Sequence, residues 1–254
     1  MTMKIALFPA KDVGLEIVEI FRERQYPIGA LVVSELDSPQ IRNAIVRAAK
    51  CDNVFLNSEL MESLKSGKNP LPAFDIGILA WWPTLIKKNL LDLARIGFLN
   101  FHPSLLPHNR GRHPNFWSIV EETPFGVSIH WVDETVDGGD VAFQKEIPKS
   151  WVDTGGTLHA KGRAAIVRLF ENNFDAIVSG NSPRLKQAPA RVRYAKELEP
   201  ASEIDLDKQY TGRELLNLIR ARTFSPYPAC SFSEHGEMYE VRVEITTKRP
   251  PETK

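Results

Sequence analysis

Asn100 and His102 stand two residues apart at the end of an apolar run, Gly97 to Phe101, in the segment Asn100-Phe101-His102-Pro103-Ser104-Leu105-Leu106-Pro107. On a strand, residues i and i+2 face the same way, so the two side chains project side by side into one cleft. The carboxamide is a fixed hydrogen-bond donor, suited to an oxygen that gains negative charge during a reaction. The imidazole titrates near neutrality and can take or give a proton. A second segment, Asp133-Glu134-Thr135-Val136-Asp137-Gly138-Gly139-Asp140, joins two expected strands and brings carboxylates, with glycines that let the backbone turn sharply beside a ligand. Each residue also has an ordinary reading. Asn100 can satisfy backbone at a strand end, His102 can be a turn residue before Pro103, and Asp137 beside Gly138-Gly139 is a turn signature. Together, in this order, they favour chemistry. His130 lies on the polar face of its strand, where it either points into the same cleft or is a satisfied structural histidine.

The elements that must position these groups can be read from period and punctuation. The first half alternates short apolar runs with helical segments, the pattern of a parallel sheet covered by helices. Strands are expected at Lys4 to Phe8, Ile28 to Val33, Val54 to Leu56, Asp75 to Ala80 and Gly97 to Phe101. Helices alternate with them. Val13 to Arg24 turns Leu15, Val18, Ile20 and Phe21 inward, and Ser38-Pro39 opens a helix running to about Lys50. A further helix is expected near Ser58 to Leu64, and Pro83 can start another. Gly126 to Val132 alternates, which predicts one buried face, and Val141 to Ile147 is close enough to pair with it. A long helix is expected from Thr157 to about Val178, then an irregular basic stretch from Asn181 to Tyr194. The fold class is α/β, a doubly wound, mainly parallel sheet over residues 1–199, followed by a small α+β module over residues 200–254. In that module a helix runs from Thr211 to Ala221, a turn covers Phe224 to Pro228, and a hairpin ends near Ile245. The tail Thr246 to Lys254 is polar and expected to fray.

Composition removes several classes. Lys and Arg total 32 and so do Asp and Glu, which leaves no net basic charge to hold a phosphate backbone, so nucleic acid is not the default partner. The two cysteines, Cys51 and Cys230, follow no ligand spacing and are read as reduced and buried. The six histidines show no zinc spacing, so no metal is expected. No apolar run reaches membrane-spanning length and no signal segment is evident, which predicts a cytoplasmic protein that does not engage membranes.

The run from Asn100 to Pro107, the Gly126 to Asp133 strand and Asp137-Gly138-Gly139-Asp140 together resemble the signature of the folate-dependent formyltransferases. Arg110-Gly111-Arg112-His113-Pro114-Asn115-Phe116-Trp117 looks most like the branch that formylates amino sugars carried on nucleotides. Leu218-Ile219-Arg220-Ala221 and Pro226-Tyr227-Pro228-Ala229 resemble the linker and subdomain of the sugar and tRNA branches. The resemblance implies transfer of a formyl group from N10-formyltetrahydrofolate, a co-substrate, to the amino group of a nucleotide-linked amino sugar destined for a surface polysaccharide such as lipopolysaccharide O-antigen. It implies Asn100, His102 and Asp137 as the catalytic residues. It implies Ala80, Trp81, Trp82, Pro83, Thr84 and Asp133 around the folate. Arg110, Arg112 and His113 would hold the acceptor, and a homodimer is compatible with it. The rival readings are another primary amine as acceptor, a formyltetrahydrofolate hydrolase, and a folate or nucleotide sensor. No Gly-rich phosphate loop follows the first strand at Phe8-Pro9-Ala10-Lys11-Asp12-Val13-Gly14.

Overall fold

The computed structural model describes residues 2–248; the end of the expected polar tail, 249–254, lies outside the described residues. The chain divides into two compact units, one of Met1–His102, Val127–Lys145 and Arg163–Ala188, the other of Pro103–Gly126, Glu146–Gly162 and Pro189–Lys254.

The first unit is built on a seven-stranded, mainly parallel sheet. β1 (Ile5–Pro9), β2 (Ala30–Val33), β3 (Val54–Leu56), β4 (Phe74–Ala80) and β5 (Ala94–His102) alternate with α1 (Lys11–Glu23), α2 (Pro39–Ala49), α3 (Asn57–Lys65) and the single turn α4 (Lys88–Leu91). After a two-residue strand, β6 (Arg110–Gly111), and α5 (Pro114–Val120), the chain returns to the sheet with β7 (Gly126–Trp131) and β8 (Val141–Glu146). The order is β3-β2-β1-β4-β5-β7-β8, parallel from β3 to β5 and antiparallel between β5 and β7. The strand order therefore reverses between β1 and β4. Ligands of open α/β sheets sit beyond the strand carboxyl ends at such a reversal.

Local chemistry explains the element ends. Ser38 caps α2 by accepting from the Ile41 N–H at 3.3 Å, with Pro39 in the first turn. The inward face of α1 is Val13, Ile17, Val18, Ile20 and Phe21; Leu15, expected in that face, is only half-buried. In β4, Gly77 makes room for the Phe98 ring of β5, because a Cβ there would lie 2.1 Å from its Cε1. Phe98 packs edge-on against Phe8 and Phe74 in the core.

Some expectations are corrected. β7 is buried at every position rather than on one face, as both faces of this sheet are covered. Pro83 starts no helix; residues 81–87 stay irregular until α4. The long helix is two, α6 (Gly155–Asn172) and α7 (Phe174–Val178). At the break, the Asn173 side chain donates to the Leu169 carbonyl at 2.7 Å, satisfying a helix-end acceptor in place of the backbone ladder. Cys51 is half-buried, whereas Cys230 is fully buried, and burial pushes the Cys230 thiol up to about 12.

The second unit carries β9 (Val192–Arg193), which pairs with β6, a 3₁₀ turn at Ala195–Glu197, α8 (Leu198–Ala201), α9 (Gly212–Arg222) and a hairpin of β10 (Cys230–Glu234) and β11 (Glu237–Val241). A reciprocal cap starts α9: Thr211 Oγ1 accepts from the Glu214 N–H at 3.1 Å, and the Glu214 carboxylate accepts from the Thr211 N–H at 2.8 Å. Phe116, Trp117, Ile119, Phe125, Leu158, Leu218 and Cys230 form its core.

Candidate active site

The site begins with a register. Asn100 of β5 lies directly opposite His130 of β7, and His102 opposite Ser128. Cross-strand neighbours share a face, so the same alternation that places Asn100 beside His102 brings His130 to them. The loop between β7 and β8 then delivers Asp137, whose backbone adopts a left-handed conformation at φ 49°. His130 is 2% exposed and His102 6%, so the cluster is largely shielded from water.

Four side chains meet there. The His130 Nδ1 lies 2.9 Å from the Trp131 carbonyl, an arrangement that requires the proton on Nδ1. In the neutral ring Nε2 then carries a lone pair for Asn100 Nδ2, 3.1 Å away, and it also lies 3.5 Å from Asp137 Oδ1. The same Asn100 nitrogen is 3.5 Å from Asp137 Oδ1. The other carboxylate oxygen, Oδ2, is 3.5 Å from His102 Nδ1, which orients Nε2 of that imidazole away from the carboxylate. The two imidazole rings stand nearly perpendicular, 6.3 Å apart between centroids. Asn100, His102 and Asp137 are thus brought together in one cluster. His130, left open between two readings in the sequence, lies within hydrogen-bond distance of Asn100.

The backbone around the cluster is tightly fitted. A Cβ on Gly139 would lie 2.0 Å from the Trp131 carbonyl oxygen, the atom to which His130 donates. Only a residue without a side chain lets the loop pass there.

The residues expected around the folate divide. Ala80 is buried at the end of β4, where its carbonyl accepts from the Ala10 N–H at 3.0 Å across the reversal. Trp81 takes φ 62°, rare for a bulky residue and a form of strain that clusters at binding sites. Trp82 stacks edge-on against Phe8 at 5.5 Å, and its buried indole N–H has no hydrogen-bond acceptor among the described residues. Pro83 is half-buried and Thr84 exposed. One oxygen of Asp133 is taken up by its own turn, accepting from the Thr135 N–H at 2.8 Å and the Thr135 hydroxyl at 2.6 Å.

Arg110, Arg112 and His113 belong to the second unit. Arg110 lies in β6, and the Arg112 N–H donates to the Arg193 carbonyl at 2.8 Å. His113 precedes α5 in a left-handed conformation, φ 58°. Burial, then the positive charges of Arg112 and Arg222, hold its pKa below the ordinary imidazole value. Among the described residues no group of three or more His, Cys, Asp or Glu could hold a metal ion.

A doubly wound sheet with an amide, two imidazoles and a carboxylate gathered where β5 ends is the layout of an α/β enzyme working by acid–base chemistry. Residues 13–172 match the family model described as formyl transferase, and residues 197–247 match the N-formyltransferase dimerization C-terminal domain. The chain belongs to the folate-dependent formyltransferase family and is an N-formyltransferase. It is 29% identical over 249 residues to a methionyl-tRNA formyltransferase of Geobacillus sp. (strain WCH70), covering 94% of this chain and 77% of that protein. Its fold is similar to the crystal structure of a 4-N formyltransferase from Francisella tularensis, with a TM-score of 0.83 and 24% identity over 97% of this chain and 99% of the other. It is also similar to an N-formyltransferase from Helicobacter canadensis in complex with folinic acid and dTDP-3-aminofucose, with a TM-score of 0.70 and 17% identity over 92% and 85%. No helix among the described residues is long and apolar enough to cross a membrane.

Proposed function

We propose that the protein transfers a formyl group from N10-formyltetrahydrofolate to the amino group of a nucleotide-linked amino sugar, with Asn100, His102 and Asp137 as catalytic residues. The observation that carries this reading is the shielded cluster in which the Asp137 carboxylate faces both Asn100 and His102. When an amine adds to a formyl carbon, the carbonyl oxygen becomes negative and the nitrogen positive. Asn100 reaches the oxygen by exchanging its longer contact, the one to Asp137, for it, while His130 keeps the amide oriented. His102 takes the amine proton, Asp137 balances the imidazolium that results, and the proton passes to N10 of the folate as the tetrahedral intermediate collapses, the carbon–N10 bond breaks and tetrahydrofolate leaves. The Ala80 to Thr84 segment and Asp133 border the folate. The buried Trp82 N–H fits a ligand with acceptor atoms, and the position at the sheet reversal suits a bound ring system.

Arg110, Arg112 and His113 hold the acceptor. A phosphate at the α1 N-terminus would have to compete with the buried Asp37 carboxylate, which accepts from the Lys11 N–H at 3.0 Å. An anchor on arginines elsewhere is therefore favoured. The sugar-nucleotide acceptor is supported by the fold match with the Helicobacter canadensis N-formyltransferase, whose complex contains dTDP-3-aminofucose. The product serves a surface polysaccharide, and the module at 197–247 pairs two copies into a homodimer. Residues 1–199 form the catalytic domain and 200–254 the appended module. A second reading, formylation of initiator methionyl-tRNA, is favoured by the Geobacillus relative, although the chain lacks net positive charge for tRNA. The two separate in one experiment. With N10-formyltetrahydrofolate as donor, dTDP- and UDP-linked 3- and 4-amino sugars, the free amino sugars and methionyl-tRNA are offered in parallel, and product is scored by mass. Formylation of a nucleotide-linked sugar in preference to the free sugar supports the proposal. Turnover of methionyl-tRNA alone refutes it.

A further inference from the structure

Residues 173–196 lie between the two stretches that the family models match. Within the first unit, part of this stretch is fastened to the sheet at four successive points. The Trp131 indole N–H donates to the Pro183 carbonyl at 2.7 Å. Arg184 lies over the Trp131 ring, 3.7 Å from its centroid, and donates to the Ile96 carbonyl at 3.1 Å. Leu185 and Val141 exchange backbone hydrogen bonds of 2.8 and 3.0 Å. Finally, the Gln187 amide donates to the carbonyls of Asp137, at 3.0 Å, and Gly139, at 2.5 Å.

The last contact bears on the chemistry. Asp137 sits in a left-handed backbone conformation, which aspartate tolerates better than most residues but which still costs energy that its surroundings must offset. The carbonyls on either side of Gly138 both point at one nitrogen, and that nitrogen has two hydrogens to give. Gln187 thus fixes the orientation of the peptide unit that follows Asp137 and of the one that follows Gly139, bracketing the turn from which the Asp137 side chain projects. The other three fastenings fix Gln187.

We infer that Gln187, carried on the strap 183–187, is a positioning residue that holds Asp137 in register with His102 and Asn100. The inference rests on the catalytic role proposed for Asp137. Gln187→Ala removes both hydrogen bonds. Gln187→Glu keeps the size and places a carboxylate against two carbonyl oxygens. Both variants lower kcat by about 10- to 100-fold, the scale of an ångström-level misplacement of a reacting group, with a much smaller change in the KM for N10-formyltetrahydrofolate.

The deciding test is a double-mutant cycle on the full-length protein, with N10-formyltetrahydrofolate and whichever acceptor of the panel above is turned over. If Gln187 works through Asp137, Asp137→Ala/Gln187→Ala is no slower than Asp137→Ala alone. Backbone hydrogen exchange over residues 133–140 rises in Gln187→Ala, while the melting transition stays intact. Multiplicative losses in the double variant, or a Gln187→Ala enzyme with wild-type kcat, overturn the inference while leaving the proposed role of Asp137 standing. A folded Asp137→Ala enzyme of wild-type rate overturns both.

Discussion

His130→Ala removes the one side chain that holds the Asn100 amide at short range, and the consequences follow from the partners it strands. The Asn100 N–H loses its acceptor at 3.1 Å and the Trp131 carbonyl loses its donor at 2.9 Å, in a place where the parent side chain is only 2% exposed. A buried polar group left unpaired costs about 1–3 kcal/mol, and the vacated volume adds to it, so a stability loss of about 2–4 kcal/mol is expected. The rate falls for a separate reason. An amide that can swing is no longer a fixed donor, and loss of one positioned donor to an oxyanion costs about 10²- to 10³-fold in kcat. Initial rates at saturating N10-formyltetrahydrofolate, with circular dichroism and a melting curve on the same preparation, separate the two effects. His130→Gln serves as the control, because its carbonyl oxygen reaches roughly where Nε2 stood and can accept from Asn100. It should recover a large share of the lost rate. A folded His130→Ala enzyme within about threefold of wild-type kcat would refute the reasoning, since the orientation of Asn100 would then not matter.

Gly139→Ala should cost activity out of proportion to its size, at least tenfold in kcat on the order expected for a shifted catalytic loop. The added methyl would press on the Trp131 carbonyl to which His130 donates, and unchanged kinetics would count against the tight passage seen there. His102→Ala and Asp137→Ala should each abolish most turnover while melting cooperatively, and unfolding of either would favour a structural role. A reduced folate should raise the melting temperature and quench tryptophan fluorescence, with the quench lost in Trp82→Phe; saturating folate without either signal would displace the donor site from Ala80 to Thr84. Burial raises the pKa of Asp153, but hydrogen bonds from Lys161 and Ser150 outweigh it and hold the carboxyl below its ordinary value. The stabilisation is therefore present above the ordinary carboxylate range, near pH 4, and lost as pH falls through the depressed value. Asp153→Asn should lose about 1.5–3 kcal/mol at pH 7 and converge on wild type in acid, and a pH-independent gap in melting temperature would contradict this.

What the sequence makes legible is what a short period can carry. Asn100 and His102 share a face because the strand repeat is two, which needs no knowledge of the rest of the chain. The glycines mark only a turn at Asp137, and it is the family resemblance that singles it out from Asp133 and Asp140. His130 is only half legible: the sequence puts it on the polar face of its strand, but its place beside Asn100 depends on the pairing of β5 with β7, and a slip of one residue would turn it to the other face. The break at Asn173 hides for a related reason: the apolar repeat runs on through it, and only the side-chain bond to Leu169 shows that the ladder stops. Gln187 is hidden most completely. It sits in a stretch without period, and its partners are backbone carbonyls some fifty positions earlier, 137 and 139, which no pattern of residue types announces.

That concealment has a physical cause that bears on how such a site is built. The carboxylate must lie between an imidazole and an amide on strands that are rigid, yet it hangs from a loop whose turn requires glycine and a left-handed aspartate. Glycine-rich loops give up more conformational entropy on ordering than other segments, so the loop alone would leave Asp137 distributed over several positions. Contacts made by its side chain cannot cure this, since in the proposed mechanism those same contacts rearrange as charge develops. The restraint has to come from the backbone, and from outside the reacting groups. Hydrogen bonds from Gln187 to the two carbonyls meet both requirements, holding the loop while leaving the carboxylate oxygens facing His102, Asn100 and His130.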